Sequence, residues 1–318
     1  MNAVVLPFPK QQPLGAQIAT WLGARLGRLE WRRFPDCESL VAIDEDLSGA
    51  DVAIVASLRD PDSLSMAVRF AAVTAREFGA RSVGLIAPYL AYMRQDRRFH
   101  PGEAVSAPIF ARFIEQSFDW LVTVDPHLHR NPSLDRLYRM PARRVSAAPL
   151  VAQWIRQEVS AAILIGPDSE SEQWVGEIAV QAGVPYQILS KQRHGDRDVS
   201  VSMPDPRAAQ GRNPVVVDDI VSSGRTLIET LGHLKRLQLP AATCVAIHAV
   251  FADDAYQQLL SAGAVRVVST DTITHPSNAI SVAQALAQAS AELLGLAVAE
   301  STLGLDTAMI GRSAPVPT

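Results

Sequence analysis

The chain has 318 residues, of which 48% are hydrophobic, and its formal net charge at pH 7 is −4. This length is typical of two domains, and the mild negative charge speaks against a general surface for nucleic acids or other polyanions. Two cysteines are too few for a disulfide framework and are typical of a reducing compartment.

We expect neither a signal peptide nor a membrane helix in this chain. Its first residues lack the basic stretch and the apolar core of a signal peptide, and no apolar run approaches the ~18–20 residues of a membrane helix. We therefore expect a cytoplasmic protein that has neither a nucleic acid nor a membrane among its partners.

Strand and helix patterns alternate along the first half of the chain. Short apolar runs predict strands at residues 4–8, 31–34, 51–57, 82–87 and 120–124, and amphipathic spacing predicts helices at 14–26, 63–78 and 104–116. The arginine-rich stretch 89–102 is predicted to be a mobile loop. Such alternation is typical of a parallel sheet with right-handed crossovers.

The alternation then starts again in the second half. Helices are predicted at 148–158, 171–182 and 279–289, and strands at 162–165, 186–189, 199–203, 243–250 and 265–269. We therefore expect an α/β protein of two similar domains, residues 1–146 and 147–292, each a parallel sheet flanked by helices. A tail at 293–318, rich in small residues, is expected to be loosely held.

The most informative stretch runs from residue 214 to residue 226. Three valines predict a buried parallel strand that ends in Asp218 and Asp219, and a turn of small residues then opens a helix. Backbone N–H groups at a helix start, together with the hydroxyls of this turn, are suited to a phosphate. The two carboxylates are placed to bind sugar hydroxyls or, through water, a magnesium ion. A phosphate site beside a polyol site predicts a sugar phosphate as ligand.

Further polar strings follow other predicted strands, at residues 33–38, 94–98, 125–129, 166–168 and 191–194. Because ligands of open parallel sheets bind at the carboxyl ends of strands, we expect these strings to line a site. Lys191 is one of the few lysines in an arginine-rich chain, which favours a compact point charge at this position. The pair Arg143 and Arg144 is expected to be ordinary surface.

His127 and His129 allow two interpretations. Their His-x-His spacing favours zinc or another borderline metal, because magnesium prefers oxygen ligands. The two histidines can equally be ordinary loop residues. The residues alone leave both interpretations open.

The stretch from residue 214 to residue 226 contains, in order, a hydrophobic strand, Asp-Asp, two aliphatic residues and Ser-Ser-Gly-x-Thr. It resembles the phosphoribosyl-pyrophosphate loop of phosphoribosyltransferases and ribose-phosphate pyrophosphokinases. With the other polar strings, the chain resembles the ribose-phosphate pyrophosphokinase family over about residues 33–272. The resemblance implies two phosphoribosyltransferase-like domains and an enzyme that transfers the diphosphoryl group of ATP to O1 of ribose 5-phosphate. It also implies Mg²⁺ as the cofactor.

The resemblance assigns a role to each polar string. ATP would be bound by Phe34, Asp36, Glu38, Arg94, Gln95 and Asp96. Ribose 5-phosphate would be bound by Asp218, Asp219, Ser222, Ser223, Gly224, Arg225 and Thr226. His127 would be associated with the metal, and Asp168 would lie near the ribose and a second metal. Lys191 and Arg193 would be the catalytic pair. The string around Phe34 would contact ATP held by a neighbouring subunit, so the resemblance also implies a homo-oligomer.

Three positions depart from the family pattern. Cys37 stands where the family usually has glycine, Ser222 stands where many synthetases have a further aspartate, and Arg225 replaces a usual glycine. These changes indicate a divergent branch, and two alternatives stay open. One is a non-catalytic homologue that binds and regulates a true synthetase, and the other is a phosphoribosyltransferase. Transferases usually need one such domain and lack the Arg-Gln-Asp and Lys-x-Arg strings, and the retained catalytic strings speak against a non-catalytic homologue.

Overall fold

A computed structural model describes residues 2–128, 133–193 and 199–296, with the side chains at 191–193 and 199–201 left aside. The chain divides into two compact units, with the break between Ser146 and Ala147. The helix Ala283–Leu294 belongs to the first unit, and residues 147–282 form the second.

The first unit contains a six-stranded parallel sheet with the strand order β2-β1-β5-β6-β7-β8, and an antiparallel hairpin of β3 and β4. Its strands are β1 (Ala3–Pro7), β2 (Arg25–Leu26), β3 (Leu29–Arg33), β4 (Ser39–Ile43), β5 (Asp51–Val55), β6 (Ser82–Ala87), β7 (Trp120–Val124) and β8 (Ala142–Val145). Its helices are α1 (Gln12–Leu22), α2 (Pro61–Glu77), α3 (Ser106–Glu115) and, from the end of the chain, α9 (Ala283–Leu294).

The central strands of this sheet are apolar along their whole length because both faces are covered. Every residue of β1, β5 and β7 is buried, as expected for parallel strands with helices on the sheet. The predicted helix 14–26 ends earlier, at Leu22. Gly23 follows it with a φ of +59°, a left-handed conformation that closes the helix, and Leu26 lies in β2.

The second unit also contains a six-stranded parallel sheet, with the order β10-β9-β13-β14-β15-β16, and a hairpin of β11 and β12. Its strands are β9 (Ala162–Gly166), β10 (Tyr186–Ile188), β11 (Lys191–Arg193), β12 (Val199–Val201), β13 (Asn213–Ile220), β14 (Thr243–His248), β15 (Arg266–Thr270) and β16 (Asn278–Ile280). Its helices are α4 (Ala148–Glu158), α5 (Glu172–Ala182), α6 (Pro206–Ala209), α7 (Arg225–Arg236) and α8 (Ala255–Ser261).

The predicted α/β class, with two parallel sheets and flanking helices, is confirmed. Among the helices of the described ranges, none combines the length and the apolar character that crossing a membrane requires.

The end of the chain differs from the prediction. A helix was predicted at 279–289 within a domain 147–292, but residues 278–280 form β16 and the helix is α9, which packs on α1 of the first unit. The side-chain amide of Asn278 helps to fix β16 beside β15, because it donates to the carbonyl oxygens of Thr270 at 2.7 Å and Ile273 at 3.0 Å. Of the predicted tail 293–318, α9 includes its first two residues, and 297–318 lie outside the described residues.

Candidate active site

The strand β13 ends in the pair of carboxylates that the sequence singled out. Val215–Val217 are fully buried, whereas Asp218 and Asp219 are half-buried where the strand leaves the core. Each carboxylate accepts a hydrogen bond from the next backbone N–H, at 3.0 Å from Asp219 to Asp218 and at 2.7 Å from Ile220 to Asp219. These bonds hold both side chains at the strand end.

The loop after β13 presents backbone N–H groups at the start of α7. Gly224 lies directly before the helix with a φ of +67°, a conformation that glycine adopts without strain. The loop is anchored by a bond from the N–H of Ala252 to the carbonyl oxygen of Ser222 at 3.0 Å. Within the described chain, the N–H groups of Ser223, Gly224 and Arg225 have no acceptor. An N-terminal helix end with open N–H groups is suited to an anion such as a phosphate.

Asp168 lies on the same edge of the sheet as the Asp218–Asp219 pair. In the register of β9 and β13, Ile165 pairs with Val216, so Asp168 and Asp219 each follow the paired residue by three positions. The half-buried Asp168 carboxylate accepts from the N–H of Ser171 at 3.2 Å. The backbone therefore places Asp168, Asp218 and Asp219 at the same edge of the sheet.

The turn that carries Asp168 is tight, and Gly166 explains how. A Cβ at this position would lie 2.4 Å from the Ser171 hydroxyl oxygen, so a larger residue would push the turn apart. The same hydroxyl donates to the carbonyl oxygen of Asp168 at 2.6 Å. The glycine thus allows the turn to close on Asp168.

Lys191 and Arg193 lie in a hairpin beyond the neighbouring strand β10. Ile188 of β10 pairs with Gly166, and the N–H of Leu189 donates to the carbonyl oxygen of Gly166 at 2.8 Å. The chain then enters β11, which pairs antiparallel with β12. The backbone of the two predicted catalytic residues therefore follows the carboxyl end of β10, while their side chains lie outside the described part, so their roles stay predictions.

Phe34, Asp36 and Glu38 share the tip of the β3–β4 hairpin in the first unit. The N–H of Phe34 donates to the carbonyl oxygen of Glu38 at 2.8 Å, and the N–H of Glu38 donates to the Asp36 carboxylate at 3.1 Å. Cys37 lies between them with a φ of +74°. Its carbonyl oxygen accepts from the Arg33 guanidinium at 3.1 Å. These bonds give the three predicted ATP-binding residues one ordered turn.

The ring of Phe34 is 39% exposed at this tip. The Arg32 guanidinium lies over it, 4.6 Å from the ring centre. An exposed aromatic ring with a cation on one side is suited to stacking against a planar ligand.

A turn at Tyr92 precedes the string Arg94, Gln95 and Asp96. Tyr92 has a φ of +64°, and its hydroxyl donates to the carboxylate of Asp62 in the first turn of α2. The bond to this carboxylate, helped by burial, raises the pKa of Tyr92 to about 12, so the hydroxyl remains a donor at neutral pH. Arg94 is exposed at the end of this turn, where it can reach a phosphate.

The predicted mobile loop 89–102 is hydrogen-bonded along its length. The carbonyl oxygen of Gln95 accepts from the N–H of Ala107 at 3.2 Å. The Glu103 carboxylate accepts from the N–H groups of Phe99 at 2.9 Å and His100 at 3.0 Å. The sequence did not predict this order, because the Glu103 carboxylate that accepts two of these bonds lies beyond the arginine-rich stretch.

His127 is half-buried three residues past β7, and an ion pair lies beside it. The Asp125 carboxylate accepts from the Arg144 guanidinium at 3.1 Å through Nε and 2.8 Å through Nη2. Arg144 is exposed, as predicted, but the sequence did not show that its guanidinium pairs with the Asp125 carboxylate. His129 lies outside the described residues.

The carboxylate oxygens of Asp168, Asp218 and Asp219 are donors that magnesium prefers. The described residues contain no group of three or more His, Cys, Asp and Glu side chains arranged to hold an ion by themselves. This donor set fits an ion such as Mg²⁺, which keeps several waters and takes further oxygens from substrate phosphates. The predicted ATP-binding residues all lie in the first unit, and the predicted ribose 5-phosphate residues all lie in the second.

Comparison with known proteins agrees with this arrangement. The sequence model of the N-terminal domain of ribose phosphate pyrophosphokinase matches residues 3–117, and that of the phosphoribosyl transferase domain matches residues 133–286. The ribose-phosphate pyrophosphokinase of Methanopyrus kandleri is 34% identical over 92% of this chain and 100% of its own length. That of Methanothermobacter thermautotrophicus is 35% identical over 89% of this chain and 98% of its own length.

A solved structure shows the same fold at lower sequence identity. The phosphoribosylpyrophosphate synthetase from Mycobacterium smegmatis aligns with a TM-score of 0.79 at 23% identity, covering 93% of this chain and 100% of its own. The fold therefore matches over nearly the whole chain.

Proposed function

Because the chain belongs to the ribose-phosphate pyrophosphokinase family, we propose that it transfers the β,γ-diphosphoryl group of ATP to O1 of ribose 5-phosphate. The O1 oxygen attacks the β-phosphorus, the bond from that phosphorus to the oxygen bridging the α-phosphate breaks, and the O1 proton is released. The products are 5-phosphoribosyl 1-pyrophosphate and AMP. The observation that carries the proposal is the end of β13, where two carboxylates precede a helix start with open N–H groups.

Ribose 5-phosphate binding follows from that arrangement. The 5-phosphate would accept hydrogen bonds from the N–H groups of Ser223, Gly224 and Arg225, where the helix dipole also favours a negative charge. The carboxylates of Asp218 and Asp219 would accept from ribose hydroxyls. The exposed Arg225 adds a guanidinium to the phosphate side of the site.

One magnesium ion would be associated with His127 on the ATP side, and Asp168 would lie near the ribose and a second magnesium ion. When bound, these ions neutralise charge that develops on the transferred phosphoryl group. Lys191 and Arg193 would add their positive charges to the same group in the transition state. The protein's own task is thus mainly to place charges around a reaction that needs little covalent help.

ATP binding would use residues from two copies of the chain. Arg94, Gln95 and Asp96 would bind ATP of their own subunit, while the hairpin tip at Phe34 would contact the adenine of ATP held by a neighbour. We therefore also propose a homo-oligomer. The two free thiols, exposed Cys37 and buried Cys244, suit a reducing, cytoplasmic location.

A charge placed in the phosphate site tests the proposal. Ser223→Asp adds a carboxylate where the 5-phosphate would bind, and like-charge repulsion should raise the ribose 5-phosphate KM by at least about tenfold. The ATP KM should change much less. Glu229→Gln, further along α7, is the matched control. An unchanged ribose 5-phosphate KM in Ser223→Asp would contradict the assignment of this loop.

A further inference from the structure

We propose that Arg144 is a positioning residue that fixes the turn after β7 and thereby places His127 for metal-bound ATP. This inference rests on the proposed role of His127 in the metal site. Arg144 belongs to none of the predicted substrate or metal sites. It would act through Asp125 alone.

The sheet places the two partners side by side. Strand β8 runs parallel to β7, with Arg144 paired to Thr123 and Val145 paired to Val124. Asp125 is the first residue after β7, so its side chain comes within reach of Arg144 on the next strand. The backbone adds a further bond, from the N–H of Asp125 to the carbonyl oxygen of Val145 at 3.0 Å.

The Asp125 carboxylate needs hydrogen-bond donors from the protein because it is buried. Its side chain is 10% exposed, whereas that of Arg144 is 44% exposed. Two guanidinium nitrogens donate to the same carboxylate oxygen, at 3.1 and 2.8 Å. Removing the guanidinium would take two hydrogen-bond donors and a positive charge away from a buried carboxylate, which is unfavourable.

The backbone at Asp125 also needs support. Its φ is +28°, within the left-handed region that residues with a Cβ rarely adopt, and a proline follows. Such a conformation persists only where the surroundings hold it. The ion pair with Arg144 supplies part of that hold, and His127 stands only two residues further on.

The expected consequence is selective for the ATP side. If the turn loosens, His127 no longer stays where a metal-bound triphosphate needs it, and loss of such a supporting contact typically weakens metal binding about 10–100-fold. The ribose 5-phosphate residues lie in the other unit, so the ribose 5-phosphate KM should stay the same.

Arg143 provides a matched control. It is the preceding residue of β8, its side chain is 45% exposed, and its guanidinium lies 3.9 Å from Glu292 and does not contact Asp125. Alternation along a strand sends the two arginines to opposite faces. A change at Arg143 therefore removes equal charge from the same strand without touching the turn.

The experiment compares Arg144→Gln, Arg144→Lys and Arg143→Gln with the unaltered protein. Amide hydrogen exchange over residues 121–128 reports on the turn without any ligand, and calorimetry with Mg²⁺ and a non-hydrolysable ATP analogue reports on binding. We expect Arg144→Gln to speed exchange after residue 124 and to weaken analogue binding about tenfold. Arg144→Lys should be weakened less, and Arg143→Gln should match the unaltered protein.

Several results would overturn the inference. Unchanged exchange and unchanged binding in Arg144→Gln would remove it outright. Faster exchange with unchanged analogue binding would make the pair structural only, and would leave the proposed function intact. Absence of analogue binding to the unaltered protein would refute the proposed function and this inference together. If Arg144→Gln does not fold, the double variant Arg144→Gln/Asp125→Asn removes both charges and is measured instead.

Discussion

Cys37 occupies a backbone conformation that favours glycine. It has a φ of +74° at the tip of the β3–β4 hairpin, and its side chain is exposed. A left-handed conformation costs a residue with a Cβ roughly 1–2 kcal/mol. Glycine at this position would avoid that strain, but it would lower the stability by roughly 0.5–1 kcal/mol because its unfolded chain has greater entropy. The strain is the larger of the two effects.

We therefore expect Cys37→Gly to raise the free energy of unfolding by about 0.5–1 kcal/mol, measured by denaturant titration. Cys37→Ala removes the thiol but keeps the Cβ, so it serves as the control and should show no such gain. A Cys37→Gly protein of equal or lower stability would show that the turn is not strained at this residue.

Some residues of the site could be found from the sequence and others could not. Asp218, Asp219 and the loop up to Thr226 were predictable because strand, carboxylates and helix start follow one another within a dozen residues. The pair of Asp125 and Arg144 was not, because the partners are 19 positions apart and meet only when β7 and β8 align. A pair of adjacent arginines carries no sign of which one pairs with a buried carboxylate.

At the scale of elements, the start of α2 holds both loops that are proposed to bind ATP. The Tyr92 hydroxyl donates to Asp62, and the Arg33 guanidinium donates to the Ser63 hydroxyl at 3.4 Å. Asp62 and Ser63 are adjacent in the first turn of this helix. One helix end therefore sets the position of the Arg94–Asp96 string and of the hairpin.

Tyr92→Phe removes the donor to Asp62 and keeps the ring packed on Phe110, whose centre is 4.8 Å away. A hydrogen bond to a charged group contributes about 1.5–3 kcal/mol, of which part should be lost from ATP binding. We expect the ATP KM to rise about fivefold to tenfold, which corresponds to about 1–1.4 kcal/mol, with little change in the ribose 5-phosphate KM.

The control for this change is Tyr138→Phe in the same unit. The Tyr138 hydroxyl is buried and has no hydrogen-bond partner among the described residues, so its removal should leave both KM values alone. Steady-state kinetics of the two variants checks the prediction. An unaltered ATP KM in Tyr92→Phe would mean that the turn holds without Asp62.

The sequence predicted most elements of the two sheets but missed the shortest ones. Long apolar runs such as β5 and β6 carry a clear signal, because both faces of a parallel strand are buried. Five strands were missed: β2, β4, β8, β11 and β16. β2, β11 and β16 have only two or three residues, β4 is only partly buried, and β8 has two exposed arginines among its four residues. The position of α9 on the first unit could not be predicted, because periodicity says nothing about which sheet a helix covers.

At the scale of the whole molecule, the proposed oligomer makes a sharp prediction. If one active site uses Phe34 from a neighbour and Lys191 from its own chain, then Phe34→Ala and Lys191→Ala should each be poorly active alone. Mixed oligomers would contain some sites with both unaltered residues. Activity should therefore return when the two variants are expressed together.

Sedimentation supplies the matching physical measurement. A fully active species at the monomer mass of 34.3 kDa would contradict the shared site. So would co-expressed variants that are no more active than the two separate proteins. Co-expression of Phe34→Ala with Glu38→Ala is the control, because both changes lie on the same hairpin and should not restore activity.

Phosphorus NMR of one reaction mixture shows directly which group leaves ATP. With Mg²⁺, ATP and ribose 5-phosphate, the spectrum should show AMP together with a pyrophosphoryl group on the sugar, and neither product should form when ribose 5-phosphate is omitted. ADP with a singly phosphorylated O1 would mean an ordinary sugar kinase and would contradict the account. Absence of any ATP turnover would contradict it as well, and would favour the binding homologue or the phosphoribosyltransferase.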